Sequence, residues 1–210
     1  MKHVTIIDYG IGNLGSLKKV FSALGANVSF SEDAKEIQNA AALILPGVGA
    51  FASGMRGLEL RGLVETVRAF GESGKPMLGI CLGAQLLLSK GFEFGEHEGL
   101  GIIPGSVERF PELAEHEKIP HIGWNSVYEK DVPWKPGIFQ SFEKPFDAYF
   151  VHSYILKPQQ KEHILGASLY GGLEFCSAVK KGNVFGTQFH PEKSGEAGMQ
   201  IMRNFLELIG

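Results

Sequence analysis

Cys81 is the residue whose neighbours best equip it for chemistry. It stands in the run Lys75-Pro76-Met77-Leu78-Gly79-Ile80-Cys81-Leu82-Gly83-Ala84-Gln85-Leu86-Leu87-Leu88. Met77 to Ile80 reads as a buried strand and Ala84 to Leu88 as a helix. Glycines two before and two after the cysteine match a nucleophile elbow with Cys in place of Ser. Such an elbow is a strained strand-to-helix turn that needs residues without a Cβ where the chains pass closely. A thiol there faces a helix N-terminus, whose partial positive charge favours the thiolate. The alternative is a buried structural cysteine in a Gly-rich turn.

A thiolate nucleophile needs a base, and the base needs an orienting group. Gly186-Thr187-Gln188-Phe189-His190-Pro191-Glu192-Lys193-Ser194 offers both. Residues two apart in an extended segment point to the same side, and Pro191 keeps His190 out of helical geometry. Glu192 then accepts a hydrogen bond from one imidazole nitrogen while the other faces Cys81. A strand-end surface histidine is the alternative. Acyl transfer also needs backbone N–H donors for the developing oxyanion. Leu82, directly after the nucleophile, supplies one. Pro46-Gly47-Val48-Gly49 is the candidate for the other, because a glycine-flanked peptide turns over cheaply. A plain βα turn would explain that loop equally.

Gly10, Gly12 and Gly15 follow a strand-like run and satisfy G-x-G-x-x-G, with Glu32 or Asp33 available as the distal acid of a dinucleotide site. In a chain with 28 glycines the motif is weak, and a tight turn is the better reading.

The elements that must position these groups alternate in the first half of the chain. Val4 to Ile7, Val28 to Phe30 and Ala41 to Leu45 read as strands. A helix is expected from an N-cap at Ser16 to a stop at Gly25, and another within Leu58 to Phe70, with Leu60, Leu63, Val64 and Val67 on one face. The elbow helix is expected to close at Gly91. Such alternation predicts a parallel sheet covered on both faces. From about Leu100 onward, short apolar runs predict strands at Ile102-Ile103, Val107, Ile119 to Ile122, Ala148 to Ile155, Ile164 to Leu169, Phe175 to Val179 and Val184 to Phe189. Phe110 to Lys118 reads as polar surface and Val132 to Pro145 as loop. A last helix spans Gly195 to Ile209, with Met199, Met202, Phe205, Leu206 and Ile209 inward.

Bulk properties narrow the class. The 210 residues carry a net charge of -3 and are 44% hydrophobic, which suits one soluble domain over 1–210. No nucleic-acid partner is expected without a basic field. The two cysteines, Cys81 and Cys176, form neither a disulfide framework nor a zinc motif, and a reducing compartment fits them. Met1-Lys2-His3 runs straight into a strand, so no secretory signal is expected, and no run is long enough to span a membrane. The expectation is a cytoplasmic α/β protein.

Three blocks, PGVGAF at 46–51, GICLGAQLL at 79–87 and FHPEKS at 189–194, together resemble the class I glutamine amidotransferases over nearly the whole chain. The resemblance implies a flavodoxin-like α/β fold with a mixed, mostly parallel central sheet flanked by helices and extra antiparallel strands in the second half. It implies a Cys81-His190-Glu192 triad that hydrolyses glutamine through a γ-glutamyl thioester, with Leu82 and Val48 or Gly49 at the oxyanion and no cofactor or metal. Gln85 matches the family's substrate-binding glutamine, and Glu93 and Ser153 align with groups that hold the amino-acid end. The run Ser89 to Gly95 departs from the acidic, serine-containing segment expected there.

DYGIGNLGSL at 8–17, PHIGWN at 120–125 and YFVHSY at 149–154 are similar to one branch of the family. That branch passes ammonia to a separate (β/α)8-barrel cyclase subunit in histidine biosynthesis. On this likeness Asn13, His121, Trp124, Asn125 and Tyr149 are candidates for the partner interface, ordinary core packing being the alternative for Trp124 and Tyr149. The triad does not discriminate among branches. Subunits serving anthranilate, aminodeoxychorismate, pyridoxal phosphate or GMP synthesis therefore remain alternatives, as does a non-catalytic binding module on the same scaffold.

Overall fold

The structure is a computed structural model that describes residues 1–113 and 117–210. Its first half winds β1 (His3–Ile7), α1 (Leu14–Ala23), β2 (Asn27–Ser31), α2 (Ala34–Asn39), β3 (Leu43–Leu45), α3 (Phe51–Leu60), α4 (Val64–Glu72), β4 (Met77–Ile80) and α5 (Leu82–Leu86). Then follow β5 (Leu88–Gly91), β6 (His97–Glu98), β7 (Ile103–Arg109), β8 (His121–Glu129), β9 (Phe146–His152), β10 (Tyr154–Pro158), β11 (Ile164–Tyr170), β12 (Leu173–Lys181), β13 (Val184–Thr187) and α6 (Gly195–Glu207). The neighbours β2-β1-β3-β4-β13 are parallel. β12, β10, β11, β8 and β9 join by antiparallel pairing, while β5 pairs parallel with β7 at the far side.

Alternation along the parallel strands builds two cores, because successive side chains leave a strand on opposite faces. Val4 and Ile6 of β1, Ile44 of β3 and Leu78 and Ile80 of β4 join Leu17 and Phe21 of α1 and Ile201, Met202 and Phe205 of α6. Ile7, Leu43, Leu45 and Met77 point the other way, onto Ile37, Phe51, Met55, Leu58, Val67 and Phe70 from α2, α3 and α4. Central strands buried on both faces follow from this packing.

Several elements differ from expectation for identifiable reasons. Asn13, not Ser16, caps α1, its Oδ1 accepting from the Ser16 N–H at 3.3 Å. Two helices replace the single one sought in Leu58 to Phe70, and Leu60 is 73% exposed where an inward residue was expected. Gly54 and Gly57 mask α3 in the sequence because glycine weakens helix propensity. They are there for close packing: a Cβ on Gly54 would meet Leu86 at 2.9 Å, and one on Gly57 the Tyr9 carbonyl at 2.8 Å. Leu88 belongs to β5 rather than to the elbow helix, since pairing with Ile103 of β7 overrides its helix preference. The run expected at Ala148 to Ile155 is two strands broken at Ser153. The supposed surface stretch Phe110 to Lys118 begins with a buried Phe110, and its residues 114–116 lie outside the described residues. The expected loop from Val132 to Pro145 carries Trp134, Ile138 and Phe139 into the core.

At the elbow, backbones approach too closely for any side chain. A Cβ on Gly83 would lie 1.8 Å from the Leu45 carbonyl oxygen, and one on Gly79 would lie 2.7 Å from the Gly83 carbonyl oxygen. Gly15, by contrast, has nothing within 4 Å of its Cβ direction. Gly83→Ala is expected to cost more than about 3 kcal/mol, because backbone cannot yield as a side chain does. Gly15→Ala, inside α1, is expected to be neutral or stabilising by about 0.5 kcal/mol. Thermal unfolding of the two variants beside the parent distinguishes them, and equal melting temperatures would contradict the packing argument.

Candidate active site

Cys81 caps the N-terminus of α5 with φ 54° and ψ -111°, a left-handed conformation that costs a non-glycine residue about 1–3 kcal/mol and persists only where its surroundings hold it. The restraints are visible. The Cys81 N–H donates to the Thr187 carbonyl at 2.8 Å, and the Cys81 carbonyl accepts from the Gln85 N–H at 3.1 Å. Because β13 and β4 run parallel with Thr187 opposite Ile80, the segment Gln188 to His190 leaves the sheet on the same side as Cys81. The loops after β1 and β3 leave on that side too, so the crevice sits at the carboxyl ends of the parallel strands.

A cavity of about 390 Å³ opens there, within the size range of small-molecule sites. It is lined by Val48, Gly49, Cys81, Leu82, Gln85, Glu93, Ser153 and His190 among the residues singled out from the sequence. Glu192 does not line it. That side chain is 3% exposed and lies behind the imidazole, its Oε1 2.8 Å from His190 Nδ1. The pair is brought together by a 3-10 turn over Pro191–Lys193, not by the extended segment expected. Pro191 leaves His190 itself extended, at φ -99° and ψ 97°, and the chain then tightens. The His190 carbonyl accepts from Ser194 Oγ at 2.7 Å and its N–H donates to the Tyr149 carbonyl at 2.9 Å.

His190 Nε2 is buried without a hydrogen-bond partner among the described residues. Burial opposes a charged ring here, but the neighbouring Cys81 and Glu192 outweigh it, and the His190 pKa is pushed up to about 9. Leu82 opens α5, so its N–H lies in the first turn, where a helix leaves donors without intrahelical acceptors. Gly49 has φ +99°, and Val48 is 45% exposed. The loop holding them is braced from below, where Tyr9 Oη donates to the Pro46 carbonyl at 2.5 Å and Gly12 packs against the Pro46 ring. Burial, with a smaller contribution from Cys81, pushes the Tyr9 phenol far up, so it stays a donor. Glu93 Oε2 accepts the Phe51 N–H at 2.7 Å, which ties the cavity wall to the start of α3.

Residues that sequence reasoning passed over complete the site. Gln188 Oε1 accepts from Gln85 Nε2 at 3.0 Å, and Gln188 Nε2 points at Cys81 Sγ from 3.9 Å. Its signal was available, since Gln188 stands two before His190 in an extended run and so shares its side. His152 and Tyr154 also line the cavity; both stand in the YFVHSY block, whose likeness points to the partner interface rather than to the site.

The interface candidates separate. Trp124 is 59% exposed, as is Ile122 on the same face of β8, and Trp124 meets Tyr149 edge-on at 6.2 Å. Asn13 is exposed, and Asn125 is half-buried with Nδ2 donating to the Leu169 carbonyl. His121 is not on that surface. It alternates inward on β8, is 3% exposed and stacks between Phe150 and Tyr170. The acids offered to a dinucleotide have other uses: Asp33 caps α2, and Glu32 pairs with Arg61. Among the described residues no cluster of side chains suits a metal ion, and no helix is long and apolar enough to cross a membrane.

Comparison with known proteins places this geometry. The family described as Glutamine amidotransferase class-I matches residues 5–209. The imidazole glycerol phosphate synthase subunit HisH of Moorella thermoacetica is 46% identical, covering 100% of this chain and 96% of the relative. The protein of the same name from Caldanaerobacter subterraneus subsp. tengcongensis is 48% identical over 98% of each. Among solved structures, PurLQS from Thermotoga maritima superimposes with a TM-score of 0.74 at 18% identity, covering 100% of this chain and 99% of that one. A structure described as a glutamine amidotransferase gives 0.73 at 20% identity, with 98% of each chain covered.

The raised His190 pKa carries a stability consequence. The folded value, about 9, lies above the ordinary 6.5, so protonated His190 stabilises the fold fully below about pH 6.5, and this contribution is lost as pH rises through about 9. The urea midpoint is therefore expected to fall across that window and to fall less in Glu192→Gln. A parent midpoint that stays flat from pH 6.5 to 9 would contradict the pairing.

Proposed function

The chain belongs to the class I glutamine amidotransferases, and from that premise we propose that it is the glutaminase subunit of an imidazole glycerol phosphate synthase in histidine biosynthesis. The observation that carries the reading is Cys81 on a strained elbow, facing the same cavity as an unpartnered His190 Nε2 whose other nitrogen is held by buried Glu192. Full-length relatives of that name support the assignment.

His190 takes the thiol proton, and Cys81 Sγ attacks the side-chain amide carbon of glutamine. The carbonyl oxygen becomes an oxyanion, which the Leu82 N–H and a peptide N–H at Val48 or Gly49 stabilise. Collapse breaks the C–N bond, His190 protonates the departing nitrogen, and ammonia leaves a γ-glutamyl thioester on Cys81. Water, deprotonated by His190, then hydrolyses the thioester to glutamate and restores the thiol. Glu192 orients the imidazole and balances its charge in both halves. Gln85, Glu93 and Ser153 hold the substrate.

The ammonia is passed to a (β/α)8-barrel cyclase partner, which makes imidazole glycerol phosphate and aminoimidazole carboxamide ribotide. The chain acts as one domain in the cytoplasm. Exposed Trp124 and its neighbour Tyr149 suit the docking face, since large aromatics anchor interfaces, and Asn13 and Asn125 are assigned to the same role.

Cys81→Ala is expected to lower glutamine hydrolysis by more than about a thousandfold while leaving partner binding unchanged. Ammonia release and gel filtration with the cyclase measure the two effects, and retained hydrolysis would sink the assignment. The isolated subunit should hydrolyse glutamine slowly and accelerate when the cyclase and its ligand bind, because the Val48-Gly49 peptide must turn to complete the oxyanion site. Full activity in the isolated chain would count against that gating.

A further inference from the structure

A pair of histidines outside the mechanism above joins the wall of the cavity, where His152 lies, to His121 behind it. His121 Nδ1 is 3.0 Å from His152 Nε2, and His152 Nδ1 is 2.8 Å from the Tyr154 carbonyl oxygen. Both rings are buried, at 3% and 5% exposure, among Phe110, Phe150 and Phe175. A carbonyl oxygen only accepts, so His152 Nδ1 carries a proton. A neutral imidazole then has only a lone pair at Nε2, and His121 Nδ1 must be the donor. Neutrality is enforced: burial pushes His152 down to about 3 and His121 down to about 4. The hydrogen-bond direction is therefore set from His121 to His152 to Tyr154.

The Tyr154 carbonyl has a second visitor. Gln85 Nε2 approaches it at 3.5 Å while donating to Gln188 Oε1 at 3.0 Å. An amide nitrogen has two N–H groups, and these two acceptors engage both. Gln85 is left with its amide oxygen as the only group it can offer to the cavity it lines.

We propose that His152, held in one tautomer by His121, is a positioning residue that fixes the Tyr154 carbonyl so that Gln85 presents its oxygen to the substrate. Gln85 then selects a ligand group that donates hydrogen bonds, an ammonium or an amide NH₂, and disfavours a carboxylate at the same place. This rests on the glutaminase reading. Turning the Gln85 amide over would set its nitrogen toward the ligand and its oxygen against the Tyr154 carbonyl oxygen, lone pair to lone pair, and the His152 hydrogen bond keeps that carbonyl from turning aside.

The test uses the assembled enzyme with its cyclase. His121→Phe keeps a flat ring in the aromatic cluster but removes the donor, whereas His121→Asn keeps an N–H close to where Nδ1–H stood. The Phe variant is expected to raise KM for glutamine about tenfold with kcat nearly unchanged, as for loss of one ground-state hydrogen bond, and the Asn variant to restore most of it. A Phe variant with the parent KM, or an Asn variant as impaired as Phe, overturns the proposal. Nitrogen-15 spectra of the parent labelled at histidine decide the tautomer without any variant. A neutral His152 protonated at Nδ1 from about pH 6 to about pH 8 is expected, and a proton at Nε2 overturns it. Turnover by the parent in the same assay tests the glutaminase reading separately, so failure of one is not mistaken for failure of the other.

Discussion

The structure depends on one close approach, between the first turn of α5 and the end of β3. Gly83 lies so near the Leu45 carbonyl that no Cβ fits between them, and a Cβ on Gly47 would meet Leu82 Cβ at 2.8 Å from the other side. This contact presses the oxyanion loop against the helix that follows the nucleophile. It also requires Cys81 to turn through a positive φ, which aims its sulfur into the cavity rather than into the sheet. The strain at Cys81 is thus local, and the packing of two cores around the parallel strands is what sustains it.

Three histidines within one small region behave in opposite ways, and their partners account for the difference. His190 is charged readily because a buried carboxylate lies on one nitrogen and a thiol near the other. His152 and His121 are surrounded by a carbonyl, each other and aromatic rings, so burial decides, His121 and nearby His190 add to it at His152, and both stay neutral. The first ring can accept and release protons, whereas the second and third hold fixed hydrogen-bond directions. Chemistry and positioning are divided between like side chains by what surrounds them.

The two faces of β8 serve different purposes through simple alternation. Ile122 and Trp124 face outward, while His121 and Val127 face inward. An exposed aromatic anchor and a buried polar pair are therefore neighbours in sequence. The proposed docking face and the histidine that supports His152 share one strand.

What the sequence by itself determined is the local chemistry: the elbow glycines around Cys81, the strand-turn-helix order, and a His190-Pro-Glu192 unit close enough in sequence to pair in almost any geometry. These are legible because each depends on neighbours within a few residues. The 3-10 turn that seats Glu192, the glycine-bearing α3, the switch of Leu88 into a strand and the burial of His121 were not legible. Each is set by a partner far away in the chain: Tyr149 bonded to His190 and Ser194 for the turn, Leu86 and Tyr9 for α3, β7 for Leu88 and the aromatic cluster for His121. The register of β13 against β4 brings Gln188 and His190 beside Cys81, and only tertiary structure decided it, because parallel pairing across about a hundred residues leaves no local mark.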